Sequence, residues 1–154
     1  MSISMEQIKK LREETGAGVM DAKKALEESK GNVEKAKAWI AKKGLARAEK
    51  KADRETKAGI IYAYTHHNSL TAAMVELQCE TDFVASNESF KSLAKELAMQ
   101  VSSMQPATIE EFVKQEYVRD PKLTIEQLIK QVAGKVGENV VLARFVRYEV
   151  GETK

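Results

Sequence analysis

Cys79, the only thiol, and His66 and His67, the only imidazoles, are the side chains best suited to nucleophilic or metal chemistry. A cysteine nucleophile needs a base within reach and surroundings that favour its thiolate. Cys79 instead closes an alternating run, Ala73, Val75, Leu77 and Cys79, that reads as the buried face of a strand. It is expected to act as a small hydrophobe. His66 and His67 are adjacent, so on a strand they point to opposite sides, and no ligand cluster accompanies them. No metal site is expected there. Gly16 and Gly18 follow a helix, and no Gly-Lys-Ser/Thr comes after them, so a phosphate-cradling loop is ruled out. Acidic residues are scattered along polar helix faces, with no pair set by spacing as acid and base. Neither catalytic residues nor a cofactor are expected, and the chain reads as a non-enzyme.

One segment is out of pattern. Cys79-Glu80-Thr81-Asp82-Phe83-Val84-Ala85 lies between the end of a strand and a helix that opens near Ser86. On local grounds Thr81 or Asp82 caps a helical turn and Phe83 is ordinary core. The competing reading sets Phe83 on a stiff strand-to-helix junction, beside a carboxylate, as an anchor aimed at a partner. Rigid junctions present an anchor at low entropic cost, and aromatic anchors dominate binding energy.

The elements that would hold this segment follow from periodicity. Residues 1–44 read as a compact module of three short helices. Met5, Ile8 and Leu11 lie on the first, behind a Ser4/Gln7 capping box. Val19, Ala22, Ala25 and Leu26 lie on the second, ending at Lys30-Gly31. Val33, Ala36, Trp39 and Ile40 lie on the third, before Gly44. Residues 45–58 form a basic helical extension and linker. Around it Lys42, Lys43, Arg47, Lys50, Lys51, Arg54 and Lys57 read as solvated charge, with contact to an acidic surface or RNA as the alternative.

From Gly59 the period switches to 2. Residues 60–65 and 70–79 form a hairpin around His66-His67-Asn68-Ser69. A helix over 86–104 carries Phe90, Leu93, Leu97, Val101 and Met104, and Thr108/Glu111 form a capping box for a short helix. Asp120-Pro121 turns the chain, and Thr124/Gln127 start a helix that Gly137 stops. Val140, Leu142, Val146, Tyr148 and Val150 alternate in a last strand, with Arg147 and Glu149 opposite. Residues 59–154 are therefore an α+β core, ββααβ, with a three-stranded antiparallel sheet covered on one face by helices.

Composition narrows the function classes. With 43% hydrophobic residues the chain can build a core without staples. One cysteine allows no intrachain disulfide. Basic residues number 25 against 23 acidic, a net charge of +2, too weak a bias for a dedicated nucleic-acid binder. No apolar run reaches the length of a membrane span. Met1-Ser2-Ile3-Ser4-Met5-Glu6 lacks a secretory or transit pattern, so the cytoplasm is the expected compartment, in a bacterium or in an organelle after processing.

Three stretches resemble a known family. Leu11-Arg12-Glu13-Glu14-Thr15-Gly16-Ala17-Gly18-Val19-Met20-Asp21-Ala22-Lys23-Lys24-Ala25-Leu26 resembles the N-terminal signature of translation elongation factor Ts. Glu80-Thr81-Asp82-Phe83-Val84-Ala85 resembles its second signature and Lys135-Val136-Gly137-Glu138-Asn139-Val140 a third, and the closing residues 144–151 are similar to the family's end. The resemblance implies a ubiquitin-associated-like helical module, a basic linker and an α+β core. It also implies guanine-nucleotide exchange on elongation factor Tu in translation elongation. Within Thr81, Asp82, Phe83 and Val84, the pair Asp82 and Phe83 matches the residues the family inserts near the partner's magnesium site. Arg12, Val19 and Met20 match positions where the helical module touches the GTPase domain, although Val19 replaces a frequent methionine. Residues 102–121 leave no room for the long helical hairpin of most relatives, so this resembles a short form. A monomer, or a dimer through an exposed sheet edge, both fit the sequence. The rivals are a helical adaptor for an unrelated protein and a nucleic-acid binder using the linker.

Overall fold

A computed structural model describes residues 2–152. Met1, Thr153 and Lys154, at the ends of the regions expected over 1–44 and 59–154, lie outside the described residues. The first three helices are α1 (Met5–Thr15), α2 (Val19–Glu28) and α3 (Val33–Lys50). Ser4 and Gln7 form the expected reciprocal cap on α1, and the Asn32 side chain accepts from the Lys35 amide to start α3. Ile8, Leu11, Ala22, Ala25, Leu26 and Ala36 make a small core of their own, while Met5 stays exposed.

Helix α3 passes through Gly44 without a break, and its two halves serve different cores. Ala36 is buried in the helical module and Ala48 in the core of the second region. Two glycines make this sharing feasible where α3 crosses α7 (Ile125–Val136). A Cβ built on Gly134 would stand 2.3 Å from the Gly44 carbonyl oxygen, so the two backbones touch.

Strands β1 (Ala58–Thr65), β2 (Thr71–Cys79) and β5 (Val141–Glu149) form an antiparallel sheet in the order β1-β2-β5. Ala73, Val75, Leu77 and Cys79 of β2 are buried, as their alternation requires, against α5 (Glu88–Met104) with its Phe90, Leu93, Leu97 and Val101. Ile125, Ile129 and Ala133 bring α7 onto the same core.

Several local expectations fail for identifiable reasons. The apolar register of the last strand breaks at a bulge. Glu76 pairs with Arg144 but the next residue, Leu77, pairs with Leu142, so Ala143 is extra. That one residue reverses the faces. Phe145 packs on the core beside Phe112, and Arg147 turns inward to donate to the Ser102 carbonyl at 2.9 Å. Tyr148 and Val150, expected on the same face as Leu142, are exposed. Asp120-Pro121 begins a strand rather than a turn: β3 (Glu116–Tyr117) pairs with β4 (Asp120–Thr124), an arrangement too short to show a period. The observed order is therefore ββ, α4 (Asp82–Ala85), α5, α6 (Ile109–Lys114), ββ, α7, β5. Met104 leaves its stripe and is exposed at the end of α5. Glu111 completes only half a capping box, since its carboxylate accepts from Ala107 rather than Thr108. The imidazoles do not diverge: β1 ends at Thr65, and in the turn that follows the two rings lie 4.1 Å apart.

Candidate partner-binding site

Phe83 is 86% exposed, so the local reading of it as core is wrong. Its exposure follows from the element beneath it. After Cys79 the chain leaves the sheet and Thr81, in extended conformation, caps the four-residue helix α4 by accepting from the Val84 amide. A single helical turn has one inward face. Val84 and Ala85 take it, and Asp82 and Phe83 are left on the outward face.

Val84, at 3% exposure, anchors the turn in the core, so of the expected segment Thr81 to Val84 its side chain is the one turned inward. Thr81 is at the surface, but its hydroxyl is committed within the chain. It caps α4 and also donates to Glu138 Oε2 at 2.7 Å.

Glu138 was not singled out by spacing, yet its carboxylate is bonded to the start of the turn. Its Oε1 accepts from the amides of Glu80 at 3.1 Å and Thr81 at 3.0 Å. The following residue, Asn139, donates its amide to Glu80 Oε1 at 2.8 Å. Through Nδ2, Asn139 donates to the carbonyls of Ala52 and Arg54, just beyond α3. Lys51 donates to the carbonyl of Gly137. The turn after α7 thus grips both the Phe83 turn and the end of α3. The only sequence signal for this was the third resembling motif, which named the residues without giving them a task.

Cys79 holds the same turn from inside, its thiol donating to the Thr81 carbonyl at 3.2 Å. Burial, and then the negative charge of Glu138, push that thiol up from its ordinary pKa. A thiol so placed is neutral and inert near pH 7. No group of three or more carboxylate, imidazole or thiol side chains suited to a metal occurs among the described residues.

In the helical module, Val19 and Met20 are exposed at the start of α2, 43% and 74% respectively. Arg12, also exposed, spends its Nε on the Ala17 carbonyl at 3.2 Å and braces the α1–α2 turn. The linker charges are less solvated than expected. Lys43 and Arg47 both bind Asp21, at 2.6 and 2.7 Å, and these contacts hold its carboxyl below the usual range. The site is a protrusion rather than a cavity. A cleft of about 410 Å³ opens between the α1–α2 turn, α3 and α7, and Thr81, Asp82 and Phe83 do not line it.

Comparison with known proteins gives the protrusion a family context. A family model described as Elongation factor TS matches residues 80–154. Elongation factor Ts of Thermotoga neapolitana is 42% identical, over 99% of this chain and 99% of its own length. The chain belongs to the elongation factor Ts family. The Elongation factor Ts of Aquifex aeolicus is 48% identical over 97% of this chain, which spans 53% of that relative. That of Leptospira biflexa is 39% identical, over 98% and 99% of the two chains. The Thermotoga alignment runs over 195 positions against 154 residues here, so that elongation factor Ts carries residues without counterpart in this chain. In this chain only residues 105–108 separate α5 from α6. No helix among the described residues is long and apolar enough to cross a membrane.

Proposed function

We propose that this chain is a guanine-nucleotide exchange factor for elongation factor Tu in the cytoplasm, and that Phe83 drives GDP release by displacing the partner's magnesium-binding region. The observation that carries this reading is the 86% exposure of Phe83 on a turn capped and fixed from within the chain. A large aromatic ring left in water costs the free protein apolar surface exposure, a cost recovered when the ring enters a partner. Asp82 stands beside it as an exposed carboxylate at the start of the same turn.

The chemistry is displacement, with no covalent step. Mg²⁺ holds its oxygen ligands in near-ideal octahedral geometry, so a small shift of its surroundings weakens its hold and that of the phosphates it bridges. Linkage then governs the cycle. A factor that binds the empty partner more tightly than the loaded one is weakened by nucleotide in the same ratio. Each ~1.4 kcal/mol removed from the dissociation barrier speeds release about tenfold. The helical module adds a second contact through Arg12, Val19 and Met20 on the GTPase domain. The linker cations that are tied to Asp21 and Gly137 favour a structural task for that segment over binding of nucleic acid.

The direct experiment is release of a fluorescent GDP from purified elongation factor Tu with and without this chain. Release should quicken about tenfold or more, with each molecule of factor acting on many partners. An unchanged rate at saturating factor would refute the proposal.

A further inference from the structure

We infer that Glu138 is a positioning residue for the Phe83 turn: a single carboxylate on the turn after α7 fixes the direction in which the ring leaves the fold. This rests on the reading of Phe83 as a wedge that displaces the partner's magnesium-binding region, and it assigns a task to a residue that reading does not use.

The two residues before Asp82 leave the sheet with no strand partner to satisfy their amides. Residues 80 and 81 are the hinge through which the turn would swivel, since Thr81 is extended and helical geometry starts only at Asp82. Glu138 Oε1 takes both hinge amides, and Oε2 takes the Thr81 hydroxyl. Three charge-assisted hydrogen bonds converge on one carboxylate, so rotation about either hinge residue breaks at least one of them. Glu80 cannot drift either, because its carboxylate accepts from the Asn139 amide and faces Arg54 at 3.7 Å.

Core packing alone does not fix this direction. Val84 and Ala85 bury side chains after the ring, and before it the buried Cys79 thiol donates one weak bond to the Thr81 carbonyl, which leaves the amides of Glu80 and Thr81 unheld. Glu138 holds both. An anchor restrained at both ends loses little freedom on binding, and misplacing it by an ångström is costly when its target is a metal's ligand shell. Glu138 then influences exchange without touching the partner, by setting where Phe83 arrives.

The test uses the full chain in five forms: parent, Glu138→Ala, Glu138→Gln, Phe83→Ala and the Glu138→Ala/Phe83→Ala double variant. GDP release is measured at saturating factor, and amide hydrogen exchange is followed in the free chain. Glu138→Ala should slow stimulated release about tenfold and speed exchange of the Glu80 and Thr81 amides by a similar factor, while the α5 amides keep their protection. Glu138→Gln, which keeps an acceptor for both hinge amides, should recover most of the loss; it also serves if the alanine variant fails to fold. In the Phe83→Ala background the second substitution should add less than about twofold, because a residue acting through the ring has nothing left to position. Fully additive losses would show that Glu138 acts on the partner itself and would overturn the inference. Parental release from Glu138→Ala together with slow release from Phe83→Ala would overturn the inference alone. Parental release from Phe83→Ala would sink the wedge reading beneath it.

Discussion

The helical module and the α+β core each expose residues proposed here to meet a partner, Val19 and Met20 in one and Phe83 in the other, but they are held in opposite ways. The α1–α2 turn beneath Val19 and Met20 is braced by residues close in sequence: Arg12 to Ala17, and Thr15 to Leu11 and Ala17. The Phe83 turn is braced from residue 138, more than fifty positions away in the chain. The module's buried cluster contains only three large side chains, Ile8, Leu11 and Leu26, whereas the other core runs from Ala48 to Leu142. Ile3, Val33, Trp39 and Ile40 pack half-buried against that cluster. The two cores share α3, whose second half lies in the larger one. One turn is braced within its own stretch of chain, the other only once the fold has brought α7 beside β2.

The largest expected effect on this comparison is at the crossing that joins the two regions. Gly134→Ala places a Cβ against the Gly44 carbonyl, and the helices must part; a loss of about 2 kcal/mol is expected in urea unfolding. Gly44→Ala meets nothing nearer than 4.0 Å, so it should be neutral or stabilise by up to ~1 kcal/mol through helix propensity. Equal effects from the two would mean that the helices are not held together at this point.

A smaller effect lies within the module. Asp21→Asn removes the carboxylate that ties α2 to Lys43 and Arg47 and should cost about 1 kcal/mol at pH 7. The folded chain holds the Asp21 carboxyl below its unfolded value, so the unfolded state binds the proton more readily. The contribution is complete above the unfolded carboxylate's pKa of about 4 and is lost as pH falls through the lower folded value. Parent and variant should therefore converge in urea midpoint at low pH. A gap that persists there would assign the effect to packing instead.

How far the sequence foretold this arrangement differs between the regions for the same reason. The α1 cap and the buried face of β2 are local patterns found in the structure, and the stripes of α1 to α3 are found except at their first residues on α1 and α2, Met5 and Val19, which are exposed. The β5 register was lost because a single bulge at Ala143 reverses every later side chain, and no local signal marks it. For Phe83 the local signal pointed the wrong way: an aromatic near a capped turn reads as core, and only the competition of Val84 and Ala85 for one inward face sends it out. The bonds of Glu138 to the Phe83 turn were invisible because their partners, Glu80 and Thr81, lie far off in the chain, past the end of β2.

The wedge itself is tested most directly by GDP release from elongation factor Tu at saturating factor, comparing the parent chain with Phe83→Ala. The ring is outside the core, so the variant should melt with the parent and still bind the partner, while its maximal release rate falls at least about tenfold. A maximal rate equal to the parent's, with any deficit confined to the concentration needed for half-effect, would mean that Phe83 grips the partner without opening its nucleotide site.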